Sequence, residues 1–75
     1  MQDWRKIVGS NVRALRIAKG VTQEELAFEA DLDLTYVGGI ERGMRNPSLM
    51  VMARLAEALN VTPIALLSET EPNCG

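Results

Sequence analysis

Residues 22–43, TQEELAFEADLDLTYVGGIERG, decide the fold of this chain. They predict two short helices joined by a tight turn. Thr22 and Glu25 have the spacing of a capping box, in which each side chain accepts a hydrogen bond from the other residue's backbone N–H. Asp31 lies where the chain must reverse, and aspartate tolerates the left-handed conformation better than most residues. Asp33 is a good N-cap for the second helix.

The second of these helices has one apolar side and one side of small and polar groups. At about 100° of rotation per residue, Val37 and Ile40 fall together, with Glu41 at the edge of their side. The opposite side carries Thr35, Gly38, Gly39 and Arg42. We expect this side to be open to solvent and able to approach a base edge or a phosphate; the alternative is an ordinary solvated helix face. Each interior glycine costs roughly 1 kcal/mol relative to alanine, so an adjacent pair suggests a purpose.

Helical periodicity continues on both sides of this stretch. A first helix is predicted over residues 4–19 and ends before Gly20. Its apolar stripe consists of Trp4, Val8, Val12 and Leu15. A fourth helix begins after Ser48 as N-cap, and its apolar stripe consists of Leu49, Met52, Leu55, Ala56 and Leu59. A short fifth helix begins at Thr62 and Pro63, because proline suits the first helical position.

No run of residues alternates as a strand would, so the predicted fold class is all-α, a compact five-helix domain over residues 1–67. Residues 68–75 form a polar tail that we expect to be disordered. The chain has 75 residues, the size of one domain. A domain this small is marginally stable alone, so oligomerisation would supplement it.

Composition excludes several classes of function. The chain has no histidine and a single cysteine, Cys74, so an internal disulfide, a zinc site and a histidine-based triad are excluded. We expect Cys74 to be an exposed thiol without a role. No nucleophile–base pair and no phosphate-binding loop is recognisable, so we expect no enzymatic activity, no cofactor and no metal. We also expect no small-molecule ligand, since there is no second domain to sense one.

Charge and hydropathy bear on location and partners. No run approaches the roughly 20 apolar residues of a membrane span, and charged residues interrupt the N-terminus where a signal peptide would be apolar. We therefore expect a cytoplasmic protein that does not enter a membrane. The net charge of −2 argues mildly against DNA binding, because DNA-binding domains are usually basic. Arg42 and Arg45 nevertheless lie together just after the second helix of the pair. The low overall charge therefore predicts modest non-specific affinity for DNA and not a complete lack of it.

Residues 8–67 resemble the phage-repressor and Cro-like helix-turn-helix family. The resemblance rests on KGVTQEELA at residues 19–27, IERG at 40–43 and NPSLMVMARLAEALNVTP at 46–63, in this order and spacing. Within the family, LDLTYVGGIERGMRNPS is similar to the controller proteins of bacterial restriction–modification systems. The resemblance implies a lambda-repressor-like domain in which the second and third helices form the helix-turn-helix.

The resemblance also implies roles for individual residues. Gln23 would bind a DNA phosphate with the help of the helix N-terminus. Arg16 and Glu41 would form a buried ion pair between the first and third helices. The base-facing positions are matched by Leu34, Thr35, Tyr36 and Gly39, and the backbone-contacting positions by Arg42, Arg45 and Asn46.

Two of the base-facing positions depart from the family pattern. Gly39 stands where the family often has a base-reading side chain, and Leu34 can at best touch a thymine methyl group. Direct readout should therefore fall mainly to Thr35 and Tyr36, and DNA shape should matter more.

These roles imply a transcriptional regulator that binds an operator in double-stranded DNA as a homodimer, by occlusion or by contacting RNA polymerase. Two copies would bind half-sites about one helical turn apart. Ile64 and Leu67 predict a dimer surface on the fifth helix and the end of the fourth; alternatively they cap the core. A second hypothesis is a helix-turn-helix protein-interaction module, such as an antitoxin or adaptor, which the acidic balance and the two glycines favour.

Overall fold

The structure is a computed structural model that describes residues 2–69. Within that range the chain forms five α-helices and no strand, which confirms the all-α prediction. The helices are α1 (Trp4–Ala18), α2 (Gln23–Ala30), α3 (Leu34–Glu41), α4 (Leu49–Ala58) and α5 (Pro63–Leu67). Cys74 and residues 70–75 of the predicted tail lie outside the described residues, whereas residues 68 and 69 are exposed and not helical. None of the described helices is long and apolar enough to cross a membrane.

The predicted capping residues set the ends of α2 and α3. The Thr22 hydroxyl accepts from the Glu25 N–H at 3.0 Å, and the Glu25 carboxylate accepts from the Thr22 N–H at 2.9 Å. Asp31 takes the left-handed conformation, with φ of 58°, where the chain turns. The Asp33 carboxylate then accepts from the N–H groups of the next helix, at Thr35 and Tyr36. Local hydrogen bonding thus fixes where both helices begin.

The core lies between all five helices. α1 packs on α3 and α5, α2 packs on α3 and α4, and α4 packs on α5. The buried apolar side chains are Val8, Val12, Leu26, Ala27, Ala30, Val37, Ile40, Leu55, Ala56, Leu59 and Leu66. Of the predicted stripe residues, Leu15 and Met52 are half-buried and pack against this core. Two others lie outside it, since Trp4 is 49% exposed and Leu49 is 67% exposed. Each is the first residue of its helix, and side chains lean toward the helix N-terminus, so both project past the edge of the core.

α1 and α3 approach so closely that their backbones touch. A Cβ added to Gly9 would overlap the carbonyl oxygen of Ile40 and would lie 2.9 Å from that of Glu41. Nothing in the sequence pattern had pointed to a role for Gly9. Its lack of a side chain is what lets the C-terminal end of α3 rest directly on α1.

A buried amide joins the first helix to the last. Nδ2 of Asn11 donates to the carbonyl oxygens of Leu66 and Ser68, both at 2.8 Å. These carbonyls belong to the end of α5, where a helix has no intrahelical donors left for them. Asn11 therefore satisfies the end of α5 and holds it against α1.

Candidate nucleic-acid interface

The two halves of α3 have different surroundings. At its N-terminal end Leu34 is 41% exposed, Thr35 is exposed and Tyr36 is half-buried. Every residue from 37 to 41 is buried. The helix therefore presents its first turn to solvent and buries its last turns in the domain.

Glu41 is the centre of a buried polar network. Its carboxylate, on a residue only 8% exposed, accepts from Arg16 twice, from Nε at 2.7 Å and from Nη2 at 3.1 Å. It also accepts from Nε2 of Gln23 at 2.9 Å, and Arg13 Nη1 lies 3.9 Å away. Arg16 in turn donates to the carbonyl oxygen of Val21 at 2.9 Å. The Arg16–Glu41 pair that the resemblance implied is thus present, and it joins α1, α2 and α3.

Gln23 has a partner that sequence reasoning missed. It is the first residue of α2, as the phosphate-binding role requires, but its amide nitrogen donates to Glu41. The amide oxygen of Gln23 lies toward Gly38, 3.7 Å from the position that a Cβ there would take. The buried network therefore fixes the orientation of the Gln23 side chain.

The expectation that Gly38 and Gly39 are open on the outer side of α3 is wrong. Both are buried, because long side chains lie over them. A Cβ on Gly38 would meet Nη1 of Arg42 at 3.2 Å, and a Cβ on Gly39 would meet Cγ of Arg45 at 2.7 Å. Because these positions have no Cβ atoms, the end of Arg42 and the stem of Arg45 can lie close to the backbone of α3.

The remaining residues assigned to DNA are accessible. We define the outer surface of α3 as the residues of its first turn together with the polar residues that follow the helix. Arg42 and Asn46 are exposed, and so is Arg45, whose guanidinium carbon lies 5.8 Å from the centroid of the Tyr36 ring. The outer surface consists of Leu34, Thr35, Tyr36, Arg42, Arg45 and Asn46. It combines hydroxyl groups with two cations, a set of groups suited to base edges and phosphates.

The fifth helix presents the apolar side chains expected there. Ile64 is 73% exposed and Leu67 is 39% exposed, whereas Leu66 between them is fully buried. Ile64 therefore does not cap the core of its own subunit. Among residues 2–69 there is no group of three or more acidic, cysteine or histidine side chains that could hold a metal ion.

Comparison with known families shows which family the chain belongs to. The family model described as "Helix-turn-helix" matches residues 12–66, which is most of the sequence. The chain belongs to the helix-turn-helix family. In this family member, α2 and α3 are the helix-turn-helix, as the resemblance predicted.

The relatives of this helix-turn-helix protein include controller proteins. Control protein C.BamHI from Bacillus amyloliquefaciens is 46% identical over 67 residues, covering 88% of this chain and 83% of that protein. The crystal structure of the restriction-modification controller protein C.AhdI from Aeromonas hydrophila has a TM-score of 0.81 and 50% identity, covering 83% of this chain and 94% of that one. The controller protein C.Esp1396I, solved as a tetramer with its natural 35 base-pair operator, has a TM-score of 0.79 and 32% identity, covering 88% and 87%.

These findings bear on the two function hypotheses. The relatives are helix-turn-helix transcriptional regulators and restriction–modification controller proteins, and one of them is seen on its operator as an oligomer. They do not favour the protein-interaction module. The family as a class regulates transcription and is not enzymatic.

Proposed function

We propose that this chain is a sequence-specific transcriptional regulator that binds an operator in double-stranded DNA as a homodimer, as a controller protein of a restriction–modification system. The observation that carries the proposal is the accessible outer surface of α3 on a helix whose other end is fixed in the core. The chain would act in the cytoplasm, where the DNA of a bacterium lies.

The N-terminal turn of α3 would enter the major groove. Recognition helices of this kind contact base edges with their N-terminal residues. Thr35 carries a hydroxyl that can donate and accept, Tyr36 carries a phenol, and Leu34 can contact a thymine methyl group. Because these groups offer few bidentate contacts, sequence-dependent DNA shape would supply part of the specificity.

Phosphate contacts would surround this turn. Arg42, Arg45 and Asn46 follow α3 and are exposed, so they can reach the DNA backbone. Gln23 would bind a phosphate from the N-terminus of α2, where the helix dipole favours an anion. Its amide nitrogen carries two hydrogens, and Glu41 accepts one of them, so the other can be donated to a phosphate. Glu41 would thus orient Gln23.

Salt dependence of DNA binding tests the proposal. The probe is duplex DNA from upstream of the protein's own gene, with a random duplex of equal length for comparison. We expect the logarithm of the affinity to fall with the logarithm of the salt concentration, and Arg42→Ala to weaken binding to both duplexes. The variant should also reduce the magnitude of the salt slope by about 1 per bound subunit, about 2 for the dimer. The control is Arg54→Ala, an exposed arginine on α4. If neither duplex is bound at low salt, the proposal is wrong.

The homodimer would form through Ile64 and Leu67 on α5 with the end of α4. The support is that Ile64 projects into solvent while its neighbour Leu66 fills the core, which leaves an apolar surface on a small domain. Sedimentation at micromolar concentration should show a dimer, and Ile64→Glu should give a monomer. Phe28→Glu is the matched control, because Phe28 is 83% exposed on a different helix. A monomeric wild-type protein would contradict the dimer.

The proposal extends to a contact with RNA polymerase. Phe28 lies on α2 beside exposed Glu24 and Glu29, a surface that is apolar and acidic and therefore unsuited to DNA. It would suit a basic surface of polymerase. Phe28→Ser should leave operator binding unchanged and reduce activated transcription in vitro. Full activation by the variant would show that polymerase is not contacted there.

A further inference from the structure

We propose that Gly39 is a seat for Arg45, and that this seat holds Arg45 on Tyr36 so that both side chains reach DNA as a preformed pair. The inference rests on the proposed DNA-binding function of α3. It assigns Gly39 a positioning role in place of the base-facing role that the family resemblance implies.

The geometry around Gly39 shows what the missing side chain makes room for. An ideal Cβ at this position would lie 2.7 Å from Cγ, 3.3 Å from Nε and 3.6 Å from Cδ of Arg45. The stem of Arg45 therefore occupies the space that any other residue at position 39 would fill. Because Arg45 is exposed and Gly39 is buried beneath it, the arginine lies against the backbone of α3.

The ring of Tyr36 lies next to this seat. Tyr36 and Gly39 are three residues apart on α3, so they share one face of the helix. The guanidinium carbon of Arg45 lies 5.8 Å from the centroid of the Tyr36 ring, within the range of a cation–π contact. The stem over Gly39 and the guanidinium over Tyr36 are two contacts of one extended side chain.

The backbone brings Arg45 to this place. Gly43 takes φ of +74°, which reverses the chain after α3, and the N–H of Met44 donates to the carbonyl oxygen of Gly39 at 2.9 Å. The loop is thus fixed to the same residue that the arginine covers. A side chain held in one conformation before binding loses less entropy on the DNA than a free one.

The adjacent glycine offers a matched control. At Gly38 an ideal Cβ would meet only the ends of long side chains, Nη1 of Arg42 at 3.2 Å and Oε1 of Gln23 at 3.7 Å. These terminal atoms can move aside, whereas Cγ of Arg45 cannot move without displacing the whole side chain. Alanine also favours the helix over glycine at either position, so both variants should remain folded.

The first measurement needs no DNA. In the wild-type protein the ring current of Tyr36 should shift the side-chain protons of Arg45 upfield in the NMR spectrum. We expect the shift to disappear in Gly39→Ala and in Tyr36→Leu and to persist in Gly38→Ala, with all three variants cooperatively folded by thermal melting. A shift that persists in Gly39→Ala, or is missing from the wild type, would show that Gly39 does not hold Arg45 on the ring of Tyr36.

The second measurement is a double-mutant cycle on duplex DNA. Gly39→Ala should weaken binding roughly three- to tenfold per bound subunit, the range expected for one side chain released from its bound conformation. In the Arg45→Ala background, the same change should have no further effect. Equal weakening in both backgrounds would show that Gly39 acts by letting the backbone approach DNA, and unchanged affinity would show that the seat does not serve binding. If the wild type binds no duplex, the proposed function fails, and the NMR measurement alone then tests whether Gly39 positions Arg45.

Discussion

The first turn of α3 and its last turns differ in their exposure and in the contacts that hold them. Leu34 and Thr35 are exposed, whereas residues 37–41 are buried without interruption. The helix is fixed at one end and accessible at the other. In the proposed function, stability and recognition therefore fall to different residues of the same eight-residue helix.

The two ends are also held by different kinds of contact. The C-terminal end is fixed to α1 by the backbone contact at Gly9 and by the Glu41 network, both of which involve residues distant in sequence. The N-terminal end is capped locally by Asp33. Substitutions at the fixed end should lower the free energy of unfolding, and those at the accessible end should change DNA binding.

The largest effect on stability is expected for substitution of Glu41. Glu41→Gln should lower the free energy of unfolding by about 3 kcal/mol, because the charge of Arg16, whose side chain is 11% exposed, loses its buried partner. That is a large part of the stability of a small domain. Urea denaturation measures the change. Glu29→Gln, at an exposed carboxylate on α2, should stay within about 0.5 kcal/mol of the wild type. Equal urea midpoints for Glu41→Gln and Glu29→Gln would contradict the claim that the Glu41 network fixes the C-terminal end of α3.

The second-largest effect on stability is expected where α1 touches α3, at Gly9. Gly9→Ala should cost about 2 kcal/mol, because the new methyl group overlaps the backbone of α3 and forces the helices apart. The control is Ser10→Ala, an exposed position one residue further along the same helix. The same urea denaturation should show Ser10→Ala close to the wild type. A stabilised Gly9→Ala would mean that the contact is looser than described and that helix propensity prevails.

The structural features that depend on residues close together in the chain could be predicted from the sequence. The capping box at Thr22, the turn at Asp31 and the cap at Asp33 each involve residues within a few positions of one another. Helical periodicity likewise predicted five helices. It indicates which side of a helix is apolar but not where the core ends, so it could not show that the stripe residues Trp4 and Leu49 lie outside the core.

The parts that rest on distant contacts could not be predicted. Nothing near Gly9 in the sequence announces that Ile40 will lie against it. The covering of Gly39 was missed for the same reason, because the arginine that covers it belongs to the loop after the helix. The Arg16–Glu41 pair was anticipated only through the family resemblance, and the share of Gln23 in that network was not.

A smaller effect is expected at the cap of the accessible end. Asp33→Ala should cost about 1 kcal/mol, since the N–H groups of Thr35 and Tyr36 lose their acceptor. Asp33→Asn keeps an acceptor of the same shape and should remain within a few tenths of the wild type. Thermal melting of the two variants measures the difference. If both lose the same stability, the charge of Asp33 matters and not its capping hydrogen bonds.

The smallest effect on stability is expected at Thr35, and this variant is the strictest test of the division. Thr35→Ala should stay within about 0.5 kcal/mol of the wild-type stability, because its side chain is exposed. Selection from a randomised duplex should instead show a relaxed preference at one base pair of each half-site, where a good contact contributes about 1–3 kcal/mol of discrimination. Thr35→Ser retains the hydroxyl and should retain the preference. A loss of stability comparable to that of Gly9→Ala would show that the accessible turn also supports the fold, and the two ends of α3 would then not be separable.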